Sequence, residues 1–314
     1  MATSFERNSS LSIIVYSSFL ILISEILLSR LSYQLYSIFA PLPFLFVGLL
    51  ISFVNFSISI SRSLLINLLL NIFYPGKLIP SQFIMFNFSI SILSILFFYL
   101  SNKINQKKIS MSQFISIVNI FFVIILLIFY MLFFGGSEQS QVKEFLKKLI
   151  TEIFESYKVN QNQNIDNIVN NLVTILPSIN LLLFMIIFSL NFVFANLIVK
   201  KLNFHTTIKI DLSKFYTPVW FSCLYLIFFI ISLFFNESSI FQNLGVNCVI
   251  CMSFSYLMEG YIFLSVILQK IKTHFMIKFS IIFLLFLFLG YVLLLIILIL
   301  GIYRNFKKVL ERNS

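Results

Sequence analysis

Charge is scarce in this 314-residue chain: Asp, Glu, Lys and Arg together make up 11% of it, while hydrophobic residues make up 60%. Ordinary soluble domains carry about 25% charged residues. A water-soluble core of this size cannot hide so much apolar surface, so the sequence predicts that lipid surrounds much of the chain. This composition excludes a disordered tail, a coiled coil and a conventional cytosolic enzyme.

Residue types that usually bind metals or act in catalysis are also few. The three cysteines lie in apolar stretches, and Cys248 and Cys251 have the spacing of a zinc or redox motif without further ligands nearby. The two histidines, His205 and His274, lie in basic loops. The chain has no nucleophile elbow, phosphate-binding glycine loop or zinc-protease motif. We therefore expect no enzyme activity, no metal and no cofactor.

Long apolar runs are abundant, and in lipid such runs form helices because every backbone group must pair internally. The predicted fold is an all-α, polytopic transmembrane helix bundle of about eight to nine spans, forming a single integral membrane domain over residues 1–314. An alternative joins 42–76 into one kinked helix. The candidate spans are 11–29, 42–60, 64–76, 80–100, 111–134, 176–198, 217–235, 244–268 and 279–303.

We attribute the net charge of +11 to the orientation of the chain in the membrane, because cytoplasmic loops collect Lys and Arg. We do not expect nucleic acid as a partner. Lysines concentrate in loops 101–110, 199–216 and 269–278, each separated from the next by two spans, so all three are predicted to face the cytoplasm of a bacterial inner membrane. Two alternatives remain for the basic tail after Gly301: a single last span places it outside, whereas a re-entrant hairpin at Gly290 returns it to the cytoplasm.

The segment 135–175 is predicted to lie outside as an extramembrane amphipathic insertion. Apolar residues recur at helical spacing from Val142 to Ile153 and again from Ile165 to Val173. The polar run Asn160–Asn164 separates these stripes. Two short helices on the outer interface fit this pattern, and they act either as a passive connector or as a lid over a cavity.

Five polar residues within the spans are the candidate solute contacts. Glu25 and Glu259 are the two charged residues inside apolar runs, where ionisable groups are costly and usually face a bundle interior or a cavity. Ser255 shares the helical stripe of Glu259. Asn180 and Asn191 are eleven residues apart and are predicted to share one helix face.

Each candidate also has a structural interpretation. Glu25 can reach the interface near Arg30, and the two asparagines can hold neighbouring helices together. Glu259 lies about 15 Å along the helix from Lys270, deep enough to require a cavity, a partner or a proton. The sequence therefore ranks Glu259 above Glu25 as a functional group.

Several short motifs together resemble the YybS-like family of predicted multi-pass membrane proteins, domain of unknown function 2232. They are Ala40-Pro41-Leu42-Pro43, Leu176-Pro177 before a helix with Asn191 and Lys200-Lys201, Thr217-Pro218-Val219-Trp220, Gly260 and Leu300-Gly301. The resemblance covers nearly the whole chain and implies a membrane protein without an established biochemical activity.

More distantly, that family is similar to the substrate-capturing components of energy-coupling-factor vitamin transporters. This likeness implies a transporter-like component that binds a small solute and docks on a separate energising ATPase or other membrane subunit. The alternative is a non-transporting membrane scaffold or envelope assembly factor, in which the polar residues only hold helices together.

Single cysteines test the predicted topology with a membrane-impermeant thiol reagent in a cysteine-free background. We expect Ser110→Cys, Lys209→Cys and Lys272→Cys to be labelled from one side and Asn162→Cys from the other, because positive charge is retained on the cytoplasmic side. Labelling of Lys209→Cys and Asn162→Cys from the same side would contradict the topology.

Overall fold

The computed structural model describes residues 4–30, 32–73, 81–106, 108–133, 137–156, 165–204, 215–234, 240–270 and 291–313. These residues form helices and short connections with no strand among them, which confirms the all-α fold class. In chain order the helices are α1 (Ser4–Leu28), α2 (Tyr33–Phe39), α3 (Pro41–Leu50), α4 (Phe53–Phe73), α5 (Ser81–Asn105), α6 (Met111–Phe133), α7 (Ser137–Ser156), α8 (Ile165–Lys201), α9 (Val219–Phe234), α10 (Ile240–Lys270) and α11 (Tyr291–Asn313).

Membrane-spanning helices are fewer than predicted in the described part of the chain. Five helices, α1, α4, α5, α8 and α10, are long and apolar enough to cross a bilayer. Three shorter apolar stretches, Leu35–Leu50, Ser112–Ile125 and Val219–Phe234, fall below this length. The estimate of eight to nine spans is therefore too high for these residues, since apolar composition alone does not report where a helix breaks. Residues 271–290 lie outside the described part.

The predicted span 42–60 is wrong because the chain breaks in its middle. Helix α3 ends at Leu50, and Ile51 adopts an extended conformation with φ −117° and ψ 163°. The Ser52 carbonyl then accepts the Phe56 amide at 2.9 Å and begins α4 anew. One continuous helix over 42–76 is excluded for the same reason, and the predicted span 64–76 falls largely within the second half of α4.

Pro177 lies inside α8 rather than at the start of a span, which corrects the prediction. A proline in a helix interior removes one backbone donor and disturbs the preceding turn. Here the Asn247 side chain of α10 inserts beside it: Nδ2 donates to the Thr174 carbonyl at 2.9 Å, and Oδ1 accepts the Ser178 amide at 3.3 Å. A neighbouring helix thus supplies the hydrogen bonds that let α8 continue through the proline.

The amphipathic insertion is only partly a separate element. Helix α7 confirms the first predicted stripe, and Phe145 on it is exposed. The second stripe is not a separate short helix, because α8 runs without interruption from Ile165 into the apolar run. An exposed salt bridge of 2.8 Å joins Lys147 to Asp166. The polar run Asn160–Asn164 lies outside the described residues.

The chain forms two compact units. Unit 1 contains Met1–Ser110 and Met185–Ile210, and unit 2 contains Met111–Phe184 and Asp211–Ser314. In unit 1 the Phe97 ring packs against the rings of Phe98, Phe188 and Phe192. The core cluster of unit 2 includes Val123, Phe221, Cys248, Cys251, Met252 and Tyr256, so the buried cysteine pair serves packing.

Glycines allow α10 and α11 to approach closely within unit 2. A Cβ on Gly260 would lie 1.9 Å from the Ile297 carbonyl oxygen, and one on Gly301 would lie 2.0 Å from the Tyr256 carbonyl oxygen. Small residues at such crossings permit direct backbone contact, which is a common way for helices to associate in lipid. This contact fixes the stretch of α10 that carries Glu259.

Replacing Asn247 tests how α8 tolerates its proline. We expect Asn247→Leu to lower the free energy of unfolding by about 1–3 kcal/mol, because it leaves the Thr174 carbonyl and the Ser178 amide buried without their partner. Thermal unfolding of the purified protein in detergent measures the loss.

The double variant Asn247→Leu/Pro177→Ala is the control. An alanine restores the backbone donor and relieves the clash, so it recovers part of the stability in the Asn247→Leu background. Equal effects of Pro177→Ala in both backgrounds would show that Asn247 and Pro177 do not act together.

Candidate functional site

Glu25 is 1% exposed on α1, in the interior of unit 1. Ser18, Leu22 and Ser29, which follow helical spacing on the same helix, are also buried. The Asn67 side chain of α4 donates to Glu25 Oε2 through Nδ2 at 2.7 Å. The other carboxyl oxygen, Oε1, is buried and has no hydrogen-bond partner among the described residues. The carboxyl group therefore keeps one oxygen available inside an apolar bundle.

Further polar atoms of unit 1 are buried in the same way. On α4 and α5 several side chains are at most 2% exposed, yet one polar atom of each has no partner within the described part of the chain. These atoms are Ser63 Oγ, Asn67 Oδ1, Asn87 Nδ2, Ser91 Oγ and Ser94 Oγ. Asn87 is anchored on its other side, since its Oδ1 accepts the Tyr36 hydroxyl of α2. Buried polar atoms normally have partners, so this concentration is unusual.

Glu259 is fully buried on α10 in unit 2, together with its stripe neighbours Cys248, Met252 and Ser255. Its Oε2 accepts two hydrogen bonds from Thr217, from the backbone amide at 2.9 Å and from the hydroxyl at 2.7 Å. Thr217 directly precedes Pro218 and α9. The carboxyl group therefore holds the start of α9 against α10, a role that the distance from Lys270 did not reveal.

The last helix joins this arrangement through Thr217 and Glu259. Asn305 Nδ2 donates to the Thr217 carbonyl at 2.6 Å, and Asn305 Oδ1 accepts a hydrogen bond from the Ser222 hydroxyl at 3.2 Å. The Arg304 guanidinium donates to the backbone carbonyl of Glu259 at 3.2 Å. These contacts place Asn305 and Arg304 beside the start of α9. Gly290, which the re-entrant alternative involves, lies outside the described residues.

Ser255 does not contact the Glu259 carboxyl partners, although it lies one turn away. Its hydroxyl accepts Asn119 Nδ2 of α6 at 2.8 Å, and the same amide lies 3.4 Å from the Met252 carbonyl. Asn119 Oδ1 and Ser116 Oγ are buried without a partner among the residues described. Unit 2 thus has a second polar contact between α6 and α10.

The two asparagines of α8 do not share a buried face. Asn191 is 6% exposed, and its Nδ2 donates to the Ile38 carbonyl at 2.7 Å and to the Ile187 carbonyl at 2.8 Å. Asn180 is exposed. Both asparagines lie on the continuous helix α8, but their surroundings differ, because α8 contributes Asn180 to unit 2 and Asn191 to unit 1.

A cavity of about 240 Å³ lies in unit 1 at the break between α3 and α4. Gly48, Phe98 and Asn102 line it, and none of the five predicted site residues does. A Cβ on Gly48 would lie 2.1 Å from the Phe98 ring, so this glycine is needed for the close packing beside the cavity.

Sequence reasoning missed the partners of the candidates. Ser63 and Asn67 are four residues apart on α4, and Asn87, Ser91 and Ser94 follow helical spacing on α5. These residues carry no charge and so did not stand out in the sequence. The described residues contain no group of three or more His, Cys, Asp or Glu side chains that could hold a metal ion.

A family model described as a predicted membrane protein (DUF2232) matches residues 18–303. The matched region contains all five predicted site residues. No curated protein and no solved structure matches the chain.

Thr217→Val tests the anchoring of α9 by Glu259. We expect it to lower the free energy of unfolding by about 1–2 kcal/mol, because the valine removes a buried hydroxyl donor to a carboxyl oxygen while keeping the side-chain shape. Thr217→Ser retains the donor and should unfold close to the wild-type temperature in detergent. An equal loss in both variants would contradict a specific role of the hydroxyl hydrogen bond, because serine keeps that donor.

Proposed function

The chain belongs to the DUF2232 family of predicted membrane proteins, and from this premise we propose that it is a non-enzymatic, transporter-like component of the bacterial inner membrane that binds a small polar solute. The plain multi-pass membrane character follows from the family and from the apolar helices. Solute binding is the proposed refinement.

The observation that carries this proposal is the carboxyl group of Glu25. A carboxyl group buried among apolar helices is expensive, and such residues usually mark a pathway or a binding site. Glu25 has one oxygen bound to Asn67 and one with no partner among the described residues. Helix packing alone would be served equally well by a neutral amide, so the presence of a carboxyl group with an available oxygen supports a ligand-binding role.

The scaffold alternative is favoured by a different observation, the engagement of Glu259. Its carboxyl group joins the start of α9 to α10, and Asn305 and Arg304 attach α11 at the same place. These contacts serve helix assembly. They support a structural role for Glu259 beside the solute-contact role proposed for Glu25.

An energy source is required if the protein transports its solute. The sequence contains no phosphate-binding glycine loop. We therefore propose that either an ion gradient or a separate energising ATPase drives the process. Affinity purification in mild detergent, followed by an ATP hydrolysis assay on the eluate, tests the second source. Recovery of a hydrolysing partner supports transport, whereas recovery of an envelope assembly protein supports the scaffold.

Complementation of a deletion strain compares the two carboxyl groups. We expect Glu25→Gln to abolish activity at normal expression and detergent stability, because glutamine keeps the hydrogen bond from Asn67 but removes the charge. Glu259→Gln is the matched control, since its carbonyl oxygen can still accept both hydrogen bonds from Thr217.

The opposite pattern, with activity lost in Glu259→Gln alone, would restore the ranking predicted from the sequence. Full complementation by both variants would reject a charge-dependent role and favour the scaffold.

A further inference from the structure

We propose that the polar side chains of α1, α4 and α5 in unit 1 form a binding site for a monovalent metal cation, Na⁺, with Glu25 as its charged ligand. This inference rests on the proposed function and names the ligand class at Glu25.

The register of α1 and α4 is fixed by two contacts. Ser17 Oγ lies 2.6 Å from Ser59 Oγ, and Glu25 Oε2 lies 2.7 Å from Asn67 Nδ2. Both pairs are separated by 42 residues in the sequence. A constant separation means that α1 and α4 run parallel and in step, so Glu25 lies at the depth of Asn67.

The register of α4 and α5 is fixed by aromatic contacts at the start of α4. The Phe56 and Phe98 ring centroids are 4.8 Å apart, and those of Phe53 and Tyr99 are 5.6 Å apart. The start of α4 therefore meets the end of α5, and the two helices are antiparallel. Asn67 lies eleven residues after Phe56 on α4, and Asn87 lies eleven residues before Phe98 on α5.

Two residues that lie equally far from the Phe56–Phe98 contact, one forward on α4 and one back on α5, lie at the same level along the two antiparallel helices. Eleven residues also turn a helix by three full turns plus about 20°, so Asn67 and Asn87 stay on the faces that bring the two phenylalanines together. Seven residues, about two turns, likewise place Ser63 opposite Ser91. Each of these four side chains is at most 2% exposed. The geometry therefore gathers them beside Glu25 on a buried seam between α4 and α5.

Four of the available atoms on this seam are oxygens, and one, Asn87 Nδ2, is a hydrogen-bond donor that cannot coordinate a cation. The oxygens are Glu25 Oε1, Asn67 Oδ1 and the hydroxyl oxygens of Ser63 and Ser91, all buried without a partner in the described part of the chain. Serine hydroxyls in helices often bond back to the preceding turn, as Ser57 and Ser61 of α4 do. Ser63 and Ser91 do not, which leaves their oxygens free to coordinate.

The charge of the seam selects a monovalent cation. Carboxylate, amide and hydroxyl oxygens are hard ligands that suit alkali and alkaline-earth ions. A single carboxylate neutralises one positive charge, whereas a divalent ion would leave one charge uncompensated in apolar surroundings. No described residue forms a salt bridge with Glu25, and Arg62, next to Ser63, is exposed. A bound cation therefore supplies the counter-charge that the protein does not.

Thermal unfolding of the purified full-length protein in detergent tests the site, with NaCl replaced by choline chloride at constant ionic strength. We expect Na⁺ to raise the unfolding temperature in a saturable manner, since a ligand that binds the folded state stabilises it. Glu25→Gln should abolish this Na⁺ response. Ser63→Ala should raise the half-maximal Na⁺ concentration about tenfold, because it removes one buried ligand.

Two variants are controls that should keep the wild-type Na⁺ response. Ser61→Ala removes an exposed hydroxyl of the same helix, and Glu259→Gln removes the buried carboxylate of unit 2. If Glu25→Gln does not fold, Ser63→Ala and Ser91→Ala still report on the site through their half-maximal concentrations.

A wild-type unfolding temperature that is the same in NaCl and choline chloride would overturn the cation site. So would a Na⁺ response that persists in Glu25→Gln. Either result leaves the complementation phenotype of Glu25→Gln untouched, so failure of the cation site and failure of solute binding are distinguishable.

Discussion

Hydrocarbon offers no hydrogen bonds, so a polar side chain inside an apolar helix is stable only where another part of the protein supplies its partner. Asn191, Asn247 and Glu259 all meet this constraint by bonding to backbone groups of a different segment. Each lies where a backbone group would otherwise lack a partner: beside the end of α2, beside a proline, or ahead of α9. These contacts connect helices that apolar packing alone would not align, because lipid competes equally well for apolar surface.

The two buried carboxyl groups show how the same residue type serves different ends. Glu259 receives an amide and a hydroxyl from a single residue at the start of α9, and its backbone is held by α11. Glu25 receives one amide side chain, and its other carboxyl oxygen has no hydrogen-bond partner among the described residues. The first arrangement fixes two helices to each other, as expected of an anchor. The second is the observation on which the proposed binding role rests.

The sequence predicted the helical class and the amphipathic α7, because periodicity and charge report directly on helix faces. It did not predict the break at Ile51 or the passage of α8 through Pro177. The first depends on the conformation of one residue, and the second depends on Asn247 from a helix far along the chain. The partners Asn67 and Thr217 were missed because tertiary proximity cannot be read from spacing within one helix.

Unit 1 is discontinuous in sequence, and this has a consequence for biogenesis. Helices α1 to α5 are synthesised first, but Phe97 packs against Phe188 and Phe192, and the Ile38 carbonyl accepts Asn191. During translation the surface around Phe97 and the Ile38 carbonyl therefore faces lipid or an insertion factor until α8 has been made. The polar backbone group at the end of α2 stays without its partner while the 153 residues from Ile38 to Asn191 are translated.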